Sequence, residues 1–515
     1  MPAMFKTTMF LVVVALAASA TAQEAPTPST GAFELVLSEA NRLASQGKYP
    51  DASIVYRKIL DEGDESAAYY QEAKYQMGVV LYQLKLYVSA FGNFDNICDS
   101  GTSHARYKDT LPWLVKIHRE LPGETNSLLR MANFPVEMYP ENLAEEINFY
   151  VGQHHYYQGN LTAALQSLGR VGTSNPNLYT KAVYLKGVVH VRRNEAGPAS
   201  DAFKEVLRFV RENKKTVVES GRMTDLAMTA LARIFYSTGQ FDTALRYYDQ
   251  LPQDSDTWLE SLFEKSWAYY RLGNFGRALG NLMTVNSPYF EQEYYPEAHV
   301  LRAVIYFKNC YYDEALATID PFYKEYYDVM KELESSLAGR PDPNDFYNYI
   351  AAVSVKGGAY SAKVKKIFNA ALADKKLRRL FGFVVQISKE IQLVEEMKKT
   401  PVGKAMAEFL IPDLVAYRFL TTGEAGKLAR ERLGLVQKDL KGLLAQALKV
   451  RFESLNAQKG KLGESLRKEQ ILAKKGSLDR TVDAEHILWP YDGETWFDEL
   501  GSYHVSLMSR CGTAD

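Results

Sequence analysis

One pattern recurs at regular intervals through the first two thirds of this 515-residue chain. Each copy has a small residue, a large residue three positions later, a turn position, an apolar or aromatic residue, and an alanine three positions further on. In the later copies this alanine is Ala244, Ala278 and Ala315, at intervals of 34 and 37 residues. Small side chains at two fixed places let two helices approach closely, so the pattern predicts a helix–turn–helix unit that stacks on its neighbours.

Seven copies lie between Ala40 and Phe322, and their turn positions are Gly47, Lys85, Gly159, Asn194, Gly239, Gly273 and Cys310. The pattern resembles the tetratricopeptide-repeat (TPR) family. This resemblance implies an all-α superhelix over residues 33–330. Ala90 and Ala164 are 74 residues apart, which predicts a divergent insert near residues 100–140.

The N-terminus has the pattern of a secretory signal peptide. Lys6 precedes an apolar run that ends at Ala20-Thr21-Ala22, a small-residue cleavage site. We therefore expect residues 1–22 to be removed after Ala22, and the mature protein to be exported to the periplasm or associated with the outer membrane.

The pattern of repeats stops near Gly339, and residues 345–480 form a basic helical region. Helices are predicted at 359–399 and 423–475. In the second, Leu433, Leu440 and Ala447 recur every seven residues, giving about three heptads of a coiled-coil seam. A helical hairpin packed against the end of the superhelix is favoured over an intermolecular coiled coil, because so short a seam is near the lower limit for a coil that stands alone.

The last segment, residues 481–515, is an aromatic and acidic tail. A repeat array needs its last apolar face covered, so we expect the tail to cap the array or dock on it, with a ligand-binding loop as the alternative. Three cysteines are too few for a disulfide framework, and the sequence leaves open whether any two of them pair: Cys98, Cys310 and Cys511.

Charge is unevenly distributed, although the whole chain carries a net charge of −1. Residues 356–480 contain 27 Lys and Arg against 13 Asp and Glu, a net charge of +14, whereas residues 24–355 and 481–515 carry −10 and −6. The basic block is expected to face an acidic protein, an anionic membrane surface or the acidic regions of this chain. Export makes nucleic acid the poorest candidate, so we predict no nucleic-acid partner.

Signatures of catalysis are absent from the sequence, which has no GxxxxGK(S/T), GxGxxG, HExxH, paired CxxC or GxSxG motif. His154 and His155 are adjacent, but neighbours on a helix point about 100° apart, so they make a poor metal pair. The acidic and histidine residues of the tail could in principle form an acid/base or metal site, but no fixed spacing supports one. They are His486, Glu494, Asp498, Glu499 and His504. We predict a protein that is not an enzyme, with no cofactor and no metal site.

The strongest functional signal lies on the first helix of each repeat. In TPR proteins, exposed positions of these helices line the concave surface, and the resemblance places tyrosine, tryptophan and arginine there, the types enriched at binding hot spots. Several of these rings are expected to pack between repeats instead. The predicted groove residues are Tyr75, Tyr82, Tyr150, Tyr156, Tyr157, Tyr184, Arg192, Arg233, Tyr236, Trp267, Tyr270, Arg271 and Phe307, with Val79, Phe149, Gln153, Val188, Phe263, Val304 and Lys308 beside them.

Together these features predict a protein-binding scaffold or adaptor of a multiprotein machine, with other envelope proteins as partners. The chain is similar to TPR adaptors of outer-membrane assembly and of gliding motility, and Tyr295-Pro296-Glu297-Ala298 resembles segments of large TPR proteins of myxobacterial type. Two alternatives stay open. The repeats could position a C-terminal ligand-binding or catalytic region, or the chain could be a structural coiled-coil oligomer.

Overall fold

The computed structural model describes residues 30–121, 123, 126–356, 362–465 and 494–511. Within these ranges the regular structure consists of α-helices and short 3₁₀-helices, without β-strands. This confirms the predicted all-α fold class. The predicted signal peptide lies outside the described residues, as do residues 466–493.

Sixteen helices of the described chain form eight successive antiparallel pairs. They are α1 (Thr30–Ser45) with α2 (Tyr49–Glu62), α3 (Ala68–Gln83) with α4 (Tyr87–Ser100), α5 (Tyr107–Glu120) with α6 (Asn126–Ala132), α7 (Ala144–Tyr157) with α8 (Leu161–Gly169), α9 (Pro176–Arg192) with α10 (Ala196–Glu212), α11 (Ser220–Ser237) with α12 (Phe241–Tyr248), α13 (Trp258–Arg271) with α14 (Phe275–Val285), and α15 (Pro296–Lys308) with α16 (Tyr312–Ala338). The pair α5–α6 occupies the stretch where a divergent insert was predicted.

The seven predicted turn positions all have a left-handed backbone. Four are glycines, and the other three are Lys85, Asn194 and Cys310, with φ of 62°, 61° and 63°. These three are the non-glycine residues with positive φ in the described chain. A residue in this conformation ends the first helix and reverses the chain. The repeat register read from the sequence is therefore confirmed.

The small residues lie where the two helices of a pair cross. A Cβ added to Gly152 would lie 2.7 Å from the side chain of Leu168, and one added to Gly187 would lie 2.7 Å from Phe203. The fixed alanines, such as Ala164, are completely buried. Larger side chains here would force the helices apart.

Four further helices follow the pairs. They are α17 (Pro343–Lys356), α18 (Ala362–Leu372), α19 (Lys375–Met397) and α20 (Pro401–Ser465). Helix α20 starts at Pro401, well before the predicted start at residue 423, because Met406, Leu410 and Leu414 supply a buried apolar stripe on its first turns.

The predicted heptad seam packs against other helices of the same chain. Leu433, Leu440 and Ala447 are completely buried, in an apolar cluster that also contains Phe322 and Leu333 of α16. Together α19 and α20 form a helical hairpin. This corresponds to the favoured alternative, because the seam packs against the end of the array rather than against a second chain.

The hairpin also reaches the other end of the array, which the sequence did not indicate. Phe383 and Ile387 of α19 and Leu410 of α20 belong to the same core as Tyr56 of α2 and Phe94 of α4. The C-terminal helices therefore connect the first helix pairs with the last ones.

The tail docks on the α13–α14 pair and reaches the turn of the last pair, where the Tyr311 hydroxyl donates to the Met508 carbonyl at 2.7 Å. The apolar face of the last pair is covered by α17, α18 and α20. The tail runs in extended form along α14. The Val505 N–H donates to the Gly276 carbonyl at 3.1 Å, and the Gly501 N–H donates to the Thr284 hydroxyl at 2.8 Å. Beyond these contacts, Cys511 forms a disulfide with Cys310 in the turn between α15 and α16.

Candidate protein-binding hollow

A hollow of about 1130 Å³ lies between the first helices of the middle pairs and the first turn of α19. Its walls come from the end of α5 and from α7, α9, α11 and α19. The lining residues are His118, Arg119, Glu146, Phe149, Tyr150, Gln153, Asn175, Asn177, Leu178, Lys181, Tyr184, Leu185, Glu219, Arg222, Met223, Leu226, Lys375, Arg378 and Arg379. Of the predicted groove residues, the hollow brings together Phe149, Tyr150, Gln153 and Tyr184.

The aromatic wall of the hollow is held in place by its neighbours. The Tyr150 hydroxyl donates to Glu146 at 2.9 Å, and its ring meets the His118 ring edge-on, with centroids 4.5 Å apart. The Tyr184 ring packs edge-on against Phe203, 5.2 Å away. Burial raises the pKa of Tyr150 and of Tyr184 above the ordinary tyrosine value. Both phenols are therefore neutral at physiological pH, and each offers an apolar face and a polar tip.

The two carboxylates that line the hollow are already paired. Glu146 accepts hydrogen bonds from Arg119 and Tyr150; although burial opposes its ionisation, these bonds lower its pKa. Glu219 pairs with Arg222 at 2.9 Å and lies 3.8 Å from Lys181. Neither is available to balance further cations.

Three cations of the hollow come from the first turn of α19. Lys375, Arg378 and Arg379 are exposed, and no carboxylate in the described chain forms an ion pair with them. Asp374 holds this turn in place, since it accepts the Leu377 N–H at 2.9 Å and pairs with Arg432 of α20 at 3.1 Å. The α20 helix thereby fixes the position of the basic turn.

Two predicted groove residues form a contact next to the hollow. The Arg192 guanidinium lies 5.4 Å from the centre of the Tyr156 ring and donates to the Tyr156 carbonyl at 2.9 Å. Tyr157, beside them, is 52% exposed. These side chains form a surface that a ligand can reach.

The predicted positions on α11 are engaged with α13. Arg233 forms ion pairs of 2.8 Å with both Glu260 and Glu264. The Tyr236 ring packs edge-on against Phe241 of α12, 5.3 Å away, and against an apolar cluster that contains Leu262 of α13. Here the groove residues join adjacent repeats.

On α13, Trp267 and Tyr270 are half-buried, with ring centroids 5.7 Å apart. Burial raises the pKa of Glu297 on α15, and the nearby Trp267 indole opposes this shift. The Arg271 guanidinium lies 5.2 Å from the centre of the Phe241 ring on α12. These residues belong to the packing between pairs as well as to the surface.

The predicted residues at the two ends pack into the chain's own clusters. Trp113 of α5 donates its indole N–H to the Tyr75 hydroxyl at 2.9 Å and meets the Tyr82 ring edge-on, 5.2 Å away. Phe307 packs against the cluster that contains Leu433 of α20. These three residues pack within the chain, as we expect for several of the predicted groove rings.

The residues weighed as chemical sites were the two histidines on α7 and several side chains of the tail. His154 and His155 lie side by side on α7, with ring centroids 5.7 Å apart. Within the described ranges, no group of three or more His, Cys, Asp or Glu residues could hold a metal ion. His486 lies outside those ranges.

Sequence reasoning missed the contributions of α5 and α19 to the hollow. His118 and Arg119 lie in the stretch without a repeat register, and the α19 cations appeared only as part of a basic block. The helix predicted at 359–399 placed these cations in its interior, whereas the structure divides this stretch into α18 and α19. Lys375, Lys376 and Arg378 therefore stand at a helix N-terminus, where the helix dipole disfavours cations.

Comparisons with known proteins find only distant structural likenesses. No protein-family model matches this chain, and no curated protein matches it. Among solved structures, a tetratricopeptide repeat protein from Parabacteroides merdae is 14% identical over 57% of this chain and 92% of that chain, with a TM-score of 0.25. A thermophilic TPR protein from Thermus thermophilus is 18% identical over 46% and 99%, with a TM-score of 0.20.

A third solved structure is a Rap protein in complex with Competence and Sporulation Factor. It is 12% identical over 76% of this chain and 99% of that chain, with a TM-score of 0.27. Likenesses this low carry no argument about fold or function. The helix pairs, their left-handed turns and their small residues at the crossings define an all-α array of TPR-like helical repeats.

Proposed function

We propose that the chain is a protein-binding scaffold of the bacterial cell envelope, which holds a partner protein in the hollow between α7, α9, α11 and α19. The observation that carries the proposal is the open volume of about 1130 Å³, walled by tyrosine rings and arginine side chains. These residue types dominate hot spots because they bury large areas or offer several donors at low entropic cost.

Two features support export to the envelope. The first 22 residues have the pattern of a signal peptide. Cys310 and Cys511 form a disulfide, a bond that persists in oxidising compartments such as the periplasm. Within the described ranges, none of the helices has the length and apolar character needed to cross a membrane. A role in outer-membrane assembly or gliding motility is part of the proposal, and other envelope proteins are the expected partners.

The alternatives from the sequence have less support. The seam proposed for a coiled-coil oligomer is buried within the chain. The part of the C-terminal region that the structure describes consists of helices packed on the array, followed by an extended tail, and its cations contribute to the hollow. A non-enzymatic scaffold therefore fits these observations best.

Site-specific cross-linking tests the proposal. A photoreactive amino acid replaces Gln153 inside the hollow, or Tyr289 at an exposed site elsewhere, in the chain expressed in a Gram-negative envelope. We expect a protein adduct from position 153 that position 289 does not give. Equal adducts from both positions, or none from position 153, would contradict a binding role for the hollow. N-terminal sequencing of the same material checks cleavage after Ala22.

A further inference from the structure

The lining of the hollow has an excess of positive charge. Six Lys or Arg side chains line it, against two Glu side chains that are already paired within the chain. The repeats around it are acidic overall, since residues 24–355 carry a net charge of −10. The local excess is therefore a property of this surface and does not follow from the composition of the array.

The cations of α19 lower the stability of their own helix. Lys375, Lys376 and Arg378 lie in the first turn, where the partial positive charge of the helix N-terminus repels cations. Asp374 is the cap residue of this turn, but its carboxylate is engaged by the Leu377 N–H and by Arg432. Stability within the chain does not explain these cations, whereas an anionic ligand in the hollow would.

The other walls determine the shape of such a ligand. Lys181 on α9 and Arg222 on α11 belong to the array, whereas Arg378 and Arg379 belong to α19. The rings of Tyr150 and Tyr184 line the same space. A flat membrane surface cannot enter a concave space bounded by several helices, but an extended chain can contact them all. The volume exceeds the roughly 300–1,000 Å³ of sites for small ligands.

From this charge complementarity we propose that the hollow binds an extended acidic segment of a partner protein, with its carboxylates on the α19 cations and its apolar side chains on the two tyrosine rings. This inference rests on the proposed scaffold function and specifies the chemistry of the partner. Arginine is suited to the role because its planar donors match a carboxylate in bidentate geometry.

The test uses the full mature chain and a fluorescein-labelled peptide of alternating glutamate and tyrosine, with alternating lysine and tyrosine as the opposite probe. The test variant is Arg378→Glu with Arg379→Glu. Its matched control, Lys389→Glu with Lys404→Glu, changes the net charge equally at exposed sites that do not line the hollow. Circular dichroism confirms that both variants fold.

We expect the acidic peptide to bind more tightly than the basic one, and the binding to weaken with salt. The hollow variant should bind at least about tenfold more weakly, a difference of about 1.4 kcal/mol, while the control keeps the wild-type affinity. Equal binding of the two peptides, or equal loss in both variants, overturns the inference, and so does a preference for phosphatidylglycerol vesicles or single-stranded oligonucleotide. If the hollow variant fails to fold, the comparison of the two peptides on the wild-type chain decides the matter.

The cross-linking experiment separates this inference from the proposed function. An adduct from position 153 that persists in the Arg378→Glu, Arg379→Glu variant would leave the scaffold function standing and overturn the acidic partner. Absence of any adduct from position 153 would remove the scaffold function itself.

Discussion

Glu390 on α19 and Ser89 on α4 are 301 residues apart in the chain and joined by two hydrogen bonds. One oxygen of the Glu390 carboxylate accepts the Ser89 N–H at 2.9 Å and its hydroxyl at 2.7 Å, and the other accepts the Val88 N–H at 2.8 Å. Helix α4 has no side-chain cap of its own at Leu86. Glu390 therefore caps α4 from a distant helix and fastens the C-terminal hairpin to the second helix pair.

Removal of this carboxylate should loosen the hairpin. Glu390→Ala leaves buried N–H groups at the start of α4 without an acceptor, which we expect to cost about 1–3 kcal/mol of unfolding free energy. Glu396→Ala, at an exposed site on the same helix, should stay within about 0.5 kcal/mol of the wild type. Urea unfolding measures both, and equal stability of the two variants would contradict the capping role.

The same residue should make stability depend on pH. Burial raises the pKa of Glu390 above its ordinary value of 4.5, against the opposing effect of the hydrogen bonds from Ser89 and Val88. The folded state therefore holds this proton more tightly than the unfolded state. The stabilisation is fully present below pH 4.5 and is lost as the pH rises through the folded-state pKa. Measured by urea unfolding, the stability of the wild type relative to Glu390→Gln should fall from mildly acidic to neutral pH. If the difference in stability between the two proteins does not change with pH, protonation of Glu390 does not contribute to stability.

The sequence predicts the helix pairs, because their pattern depends on the spacing of residues within one repeat. The turn positions fall where Lys85, Asn194 and Cys310 adopt left-handed backbones, because each depends on residues within one repeat. Contacts such as that between Glu390 and Ser89 leave no periodic trace in the sequence. The return of the hairpin to the first pairs could therefore not be predicted.

The candidate site was predicted to the same limited degree. Tyr150 and Tyr184 were identified because TPR positions place them on the concave surface. The basic block was also recognised, but its cations serve different purposes. Lys441 pairs with Glu334 and Arg451 with Asp320, both on α16. The net charge of residues 356–480 does not distinguish these paired side chains from the cations that line the hollow.

The docked tail depends on the glycine at position 280. A Cβ on Gly280 would lie 1.7 Å from the Tyr503 carbonyl oxygen, so Gly280→Ala should force the tail off α14. We expect the amides of Gly501 and Val505 to lose their protection from hydrogen exchange. Gly442→Ala on α20, where no atom lies within 4 Å, should leave the same amides protected. Unchanged exchange in Gly280→Ala would mean that the tail does not lie along α14.

The disulfide between Cys310 and Cys511 should contribute to stability. Reduction should lower the unfolding free energy by about 2–4 kcal/mol, the usual range for a native disulfide. Cys511→Ser should melt at the same temperature with and without reductant. Cys98→Ser should respond as the wild type does, because burial raises the pKa of the Cys98 thiol to about 11 and keeps it unreactive. If reductant does not change the melting temperature of the wild type, the disulfide does not contribute to stability.

Trp267 and Tyr156 were both predicted as groove residues, but their surroundings assign them different roles. Trp267 packs edge-on against Tyr270 and lies against an apolar cluster that contains Leu301 of the next helix pair. Tyr156 lies beneath the exposed Arg192, next to the hollow.

Loss of the tryptophan ring should therefore act on the fold, and loss of the tyrosine ring on binding. We expect Trp267→Ala to lower the unfolding free energy by about 3–5 kcal/mol, since it removes a large packed ring. Tyr156→Ala should keep the melting temperature and lower the affinity for the partner captured from position 153 by at least about 2 kcal/mol, the level that defines a hot spot. Thermal melting and titration of that partner, performed on both variants side by side, make the distinction. If Tyr156→Ala loses stability without a separate loss of affinity, then Tyr156 is a packing residue and the binding surface does not extend beyond the hollow.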